Sequence, residues 1–128
     1  MKIQLEKHEA EKYFHNALCN GLSYFQSYEI EVKYNEDEYD IARKTAKDEY
    51  GNKPCYEDVL MEMLRLGYSI QAEDSNSGET HTLTMDSVHF QMNNVEPRWI
   101  LEMVNERDDA DTADAILQVC FIGEHIYG

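Results

Sequence analysis

Positive charge is what the 128-residue sequence has least of: 11 lysines and arginines face 26 aspartates and glutamates, a formal net charge of −15. A chain this anionic repels nucleic-acid phosphate and anionic lipid alike, so neither direct nucleic-acid binding nor a membrane-surface role is expected. Two prolines and the lack of any Pro/Gly/Ser-rich tract leave no interdomain linker, and residues 1–128 read as a single domain. The three cysteines, Cys19, Cys55 and Cys120, are odd in number and have no Cys-x-x-Cys spacing, which argues against a disulfide framework. No apolar run approaches the roughly 20 residues of a membrane span. The opening MKIQLEKHEAEKYF is charged throughout, unlike a secretory leader. These absences together predict a cytoplasmic protein with reduced thiols.

What is present suffices for a core. Hydrophobic residues make up 42% of the chain and aromatics 11%, nine of them tyrosine. A chain of this length buries roughly two thirds of its unfolded surface without help from a metal or disulfide. LEKHEAEKYFHNALCN, residues 5–20, repeats its apolar positions at helical spacing, with Gly21 placed where a C-terminal cap would sit. Tyr28, Ile30, Val32 and Tyr34 alternate with Glu29, Glu31 and Lys33, which predicts a strand over 26–34. Asn35 can cap a helix through EDEYDIARKTAKDEY that Gly51 ends. KPCYEDVLMEMLRLG is the clearest unit, a core helix starting near Pro54 and stopped by Gly67.

YSIQAED and THTLT flank the turn formers Ser75 to Glu79 and predict a hairpin. Thr84 opens a short helix over MDSVHFQMNN, Pro97 begins another, RWILEMVNE, and Thr112 caps or lies early in a last helix, ADAILQVCFIGE. The fold class is therefore α+β, a helix-rich single domain with a small antiparallel sheet of about three strands.

The end of the chain poses the main question, because an acid-rich run, ERDDADTAD, leads directly into an apolar stretch. Ile116, Leu117, Cys120 and Phe121 recur on one helical face, and Asp108, Asp109, Asp111 and Asp114 lie at or before the start of that helix, where the dipole favours acids. Ile122, Ile126 and Tyr127 extend the apolar surface past Gly123. Such a tail either closes the core or meets another chain. Phe121, Ile122, Ile126 and Tyr127 are accordingly the candidate partner-binding residues.

Chemical motifs are sparse. DSNSGETHTLTM has Glu79 and Met85 where a calcium-binding EF-hand loop needs Gly and Glu, so a hairpin turn is the better reading. His15 and Cys19, four apart on the first helix, could face one ion, but neither the cysteines nor the histidines reach zinc-motif density, and no metal or cofactor is expected. Glu57 with Asp58, and Asp108 with Asp109, point about 100° apart on a helix and do not form an acid/base pair. Cys120 lies on an apolar face, which makes a thiol inert. No phosphate loop or nucleophile elbow occurs, so no enzyme activity is expected.

The closing DADTADAILQVCFIGEHIYG, together with the LTMDSV helix start, resembles the C-terminal end of small acidic proteins from gut-bacterial phages and mobile elements. The likeness covers the last third of the chain. It implies a mobile-element accessory protein and assigns no catalytic residue, cofactor or substrate.

Three functional readings follow. The first is a non-catalytic accessory protein that binds a protein, itself or a host factor, through the apolar tail. The second is an acidic decoy of a nucleic acid that blocks a host nucleic-acid-binding factor, using Glu36, Asp37, Glu38 and Asp40 with Asp108, Asp109, Asp111 and Asp114. The third is a small hydrolase, which would need a cleft holding a His, a Cys or two carboxylates within hydrogen-bond reach.

Overall fold

The computed structural model describes residues 4–128. Among them are seven helices, α1 (Lys7–Gly21), α2 (Tyr24–Ser27), α3 (Glu36–Tyr50), α4 (Tyr56–Arg65), α5 (Met85–Met92), α6 (Pro97–Val104) and α7 (Ala110–Ile122). Three strands, β1 (Ile30–Lys33), β2 (Ile70–Asp74) and β3 (Glu79–Leu83), form one antiparallel sheet in the order β1-β2-β3. This is the helix-rich α+β arrangement that the alternation of patterns predicts.

Local chemistry sets most element ends. The Asn35 side chain accepts from the Glu38 N–H at 3.0 Å and starts α3, while Gly51 ends it at φ 90°. Thr84 and Ser87 form a reciprocal capping box for α5, Ser87 N–H to Thr84 Oγ1 at 3.2 Å and Thr84 N–H to Ser87 Oγ at 2.8 Å. Asp109 caps α7 by accepting from the Thr112 N–H at 2.9 Å, so Thr112 lies within the first turn. Pro97 occupies the first turn of α6, as its missing N–H allows. In the β2–β3 turn, Asp74 Oδ1 accepts from the Asn76 N–H at 2.9 Å, and Gly78 takes the positive φ of 75° that the hairpin needs.

Two expectations change. Gly21 is not a cap: it is the last residue of α1, with Leu22 at the cap, and a Cβ there would come within 2.8 Å of the Ala113 backbone. Its missing side chain is what lets α1 approach α7. The strand expected over 26–34 shrinks to Ile30–Lys33, because residues 24–27 coil into α2 and Glu29 reverses direction at φ 61°. Phe25 is buried in that turn against Phe121, ring centroids 5.3 Å apart. Tyr28 leaves the strand pattern to hydrogen-bond Asp114.

The core centres on α7, whose residues Thr112 to Ile122 are all buried. A helix covered on every side needs apolar character on every side, and ADAILQVCFI supplies most of it. α1 packs along α7, α3 packs on α4, and the sheet lies against α4 and α7.

The tail then turns back over the core. Gln118 Oε1 accepts from the N–H groups of Ile126 (2.9 Å) and Tyr127 (2.8 Å), and its Nε2 donates to the Tyr127 carbonyl at 2.9 Å. One buried amide thus satisfies three backbone groups of the returning tail. The Tyr127 hydroxyl donates to Asp74 at 2.6 Å, and its ring stacks on Tyr28 with centroids 5.2 Å apart.

Candidate functional site

The sequence-predicted tail site does not form a surface. Phe121 and Ile122 are 3% and 8% exposed, and Phe121 is wedged between Phe14 and Phe25. Tyr127 is engaged by Asp74 and Tyr28, which leaves only Ile126, at 55%, facing solvent. Phe121 and Ile122 are corrected to core residues: burying each contributes about 2–3 kcal/mol that a partner-facing position would forfeit.

The acids scatter by local role. Glu36, Asp37 and Glu38 lie in the first turn of α3, with Asp40 exposed in the next. Asp108 is half-buried, Asp109 is the α7 cap, and Asp111 is exposed in the first turn of α7. Asp114 is a correction, being buried at 4% exposure. It accepts from the Tyr28 hydroxyl at 2.7 Å and from Gln118 at 3.0 Å, while its Oδ1 has no partner among the described residues. Burial outweighs those two hydrogen bonds and lifts its pKa above the ordinary range.

A recess lies elsewhere, a cleft of ≈ 670 Å³ between α2, β1 and the start of α4. Leu22, Phe25, Ile30, Val32 and Tyr56 give it apolar walls, and Glu29, Glu31 and Glu57 add three carboxylates without any lysine or arginine. A tyrosine cluster positions Tyr56: its ring is 6.1 Å from both Tyr34 and Tyr39, which stack on each other at 4.9 Å. Lys33, the cation of β1, is 2.6 Å from Glu73 of β2 and 3.9 Å from Glu31.

This cleft runs along an outer strand. β1 pairs only with β2 among the described residues, in the register Ile30↔Asp74 to Lys33↔Gln71. The Ser75 N–H donates to the Glu29 carbonyl at 3.1 Å, so Glu29 and Ser75 are a hydrogen-bonded pair one step before that register. Antiparallel alternation then directs the backbone groups of Glu31 and Lys33 to β2 and those of Ile30 and Val32 to the open side.

Beside the cleft is a second cluster. His15 Nε2 and Asp58 Oδ1 are 2.8 Å apart, joining α1 to the first turn of α4. Donor atoms of His15, Cys19 and Asp58 all lie within 4.8 Å of one another. Cys55, the cap of α4, donates its N–H to Asp58 at 3.3 Å. Burial and then the adjoining Cys55, Asp58 and Glu57 push the Cys19 thiol up to about 11. A nucleophilic cysteine needs the opposite, an electropositive setting that favours thiolate.

Sequence reasoning saw His15 with Cys19 at one-turn spacing but not Asp58, which only tertiary packing brings in. The cleft had one legible signal, the alternation of Ile30 and Val32 with acids. Comparisons with family models, with curated proteins and with solved structures find no match. No helix among the described residues is long and apolar enough to cross a membrane.

Proposed function

We propose that the protein is a non-catalytic, protein-binding accessory module that takes an extended, lysine- or arginine-bearing segment of a partner along the open edge of β1. The observation that carries this reading is the coincidence of unpaired strand backbone with an apolar, acid-rimmed cleft. Strand addition draws affinity from main-chain hydrogen bonds and specificity from pockets for alternate side chains. Ile30 and Val32 offer the backbone groups, Leu22 and Tyr56 the apolar contacts, and Glu29, Glu31 and Glu57 the charge.

Charge also selects the kind of partner. A second copy of this chain would set the same acids against each other in a pair already carrying −15 each, whereas a basic segment is steered in. The likeness of the closing stretch to small acidic proteins of phages and mobile elements agrees with an accessory role.

A fluorescent peptide alternating lysine with valine tests this by anisotropy against one alternating glutamate with valine. The basic peptide is expected to bind, more weakly as salt rises, and Glu31→Lys, at an exposed position, is expected to weaken it further. Equal binding of both peptides, or an unchanged Glu31→Lys variant, contradicts the reading.

A further inference from the structure

The cluster between α1 and α4 carries an inference independent of the cleft. We infer that His15, Cys19 and Asp58 form a binding site for a zinc-class divalent ion that ties α1 to the start of α4. The donor chemistry fits: imidazole nitrogen, thiolate sulfur and one carboxylate oxygen are the ligands zinc takes in tetrahedral sites.

The geometry fits as well. His15 and Cys19 lie one helical turn apart on α1, so their side chains leave the same face. The capping geometry of α4, in which Asp58 accepts from the Cys55 N–H, holds Asp58 opposite them. Three donor atoms within 4.8 Å need only small side-chain rotations to enclose an ion, and His15 Nε2 to Asp58 Oδ1 would open from 2.8 Å to about 3.3 Å around tetrahedral zinc. The ion takes the place of the Cys19 thiol proton, which is released to water, and the imidazole of His15 ligates through Nε2 with its own proton on Nδ1.

Electrostatics agree. Glu57 and Asp58 lie together in the first turn of α4, so a dication entering there meets carboxylate charge as well as the sulfur and nitrogen donors. Among the 26 acids of the chain, this place adds sulfur and nitrogen donors, and these favour zinc-class ions over calcium or magnesium. The ion would brace the start of α4, beside the cleft wall at Tyr56.

The test is titration of the reduced full chain with Zn²⁺, using Co²⁺ as the absorbing probe. One ion per chain is expected, with a thiolate-to-Co²⁺ charge-transfer band and the visible bands of tetrahedral coordination. Zn²⁺ is expected to raise the melting temperature of the wild type. Cys19→Ser, at an exposed position, and His15→Ala are expected to bind Zn²⁺ at least about tenfold more weakly and to lose the temperature shift, while Cys120→Ala, remote in the core, keeps both. Circular dichroism without metal checks that each variant folds. Binding without the charge-transfer band, or unchanged in folded Cys19→Ser, would assign the ion to surface carboxylates and overturn the site. So would the absence of saturable binding.

Discussion

Asp114 shows how a single residue departs from what its neighbours in sequence suggest. It follows three helix-start aspartates and looks like a fourth, yet one turn into α7 its position faces the core, where Tyr28, 86 residues away, meets it. Its raised pKa has a defined sign. The folded chain holds the proton more tightly than the unfolded one, so the contribution is complete below the unfolded value near ~3.9 and is lost as pH rises through the folded value. Asp114→Asn keeps an acceptor for Tyr28 and Gln118 and removes the buried charge. The variant is expected to match the wild type near pH 3 and to be more stable at neutral pH, as thermal melts across pH would show. The tail residues divide just as sharply. Phe121→Asp is expected to cost about 4 kcal/mol or more and to unfold the chain, whereas Ile126→Asp, with its side chain in solvent, is expected to shift stability by less than about 0.5 kcal/mol. Circular dichroism with denaturant melts separates the two.

At the scale of elements, the ends legible in the sequence are those set by contacts of three or four residues: Asn35, Thr84 and Pro97 at helix starts, Gly51 at a helix stop. What was not legible depends on distant partners. α2 exists because Phe25 reaches Phe121, and a four-residue helix leaves no periodicity to read. The role of Gly21 likewise belongs to α7. A helix-terminal glycine is ordinarily a cap, but here the close backbone of Ala113 is the reason for it. Gly21→Ala would gain up to about 1 kcal/mol in helix propensity, yet its Cβ would meet main chain that cannot rotate away. A net loss of about 1–2 kcal/mol is expected, seen as a melting temperature several degrees lower; an unchanged or higher value would remove the close approach from the account. The candidate sites follow the same division. One-turn spacing exposed His15 and Cys19, while the loop that returns Asp58 to them left no periodic trace.

For the whole molecule, the excess of acid has a structural rationale in parts and a functional one in a single place. Many carboxylates are spent at helix starts, where the dipole accepts them, or in hydrogen bonds such as those of Asp74 and Asp109. Glu29, Glu31 and Glu57 border an apolar cleft instead, beside strand backbone that nothing described in the chain pairs. An open edge exposes a sheet to unwanted pairing, and charged side chains along it both deter like-charged copies and admit a basic strand. Val32→Pro is a sharp probe of that edge, since its N–H points away from β2 and proline is tolerated at such positions. The variant is expected to fold and to lose the basic peptide, whereas Val32→Ala retains it.

The most direct measurement is residue-resolved amide hydrogen exchange by NMR, with and without the basic peptide. Strand addition predicts that the amides of Ile30 and Val32 exchange readily in the free protein and become protected when the peptide binds, while those of Glu31 and Lys33 are already protected by β2. Peptide-dependent protection confined to the acidic starts of α3 and α7, with Ile30 and Val32 unchanged, would contradict it and place binding on general surface charge.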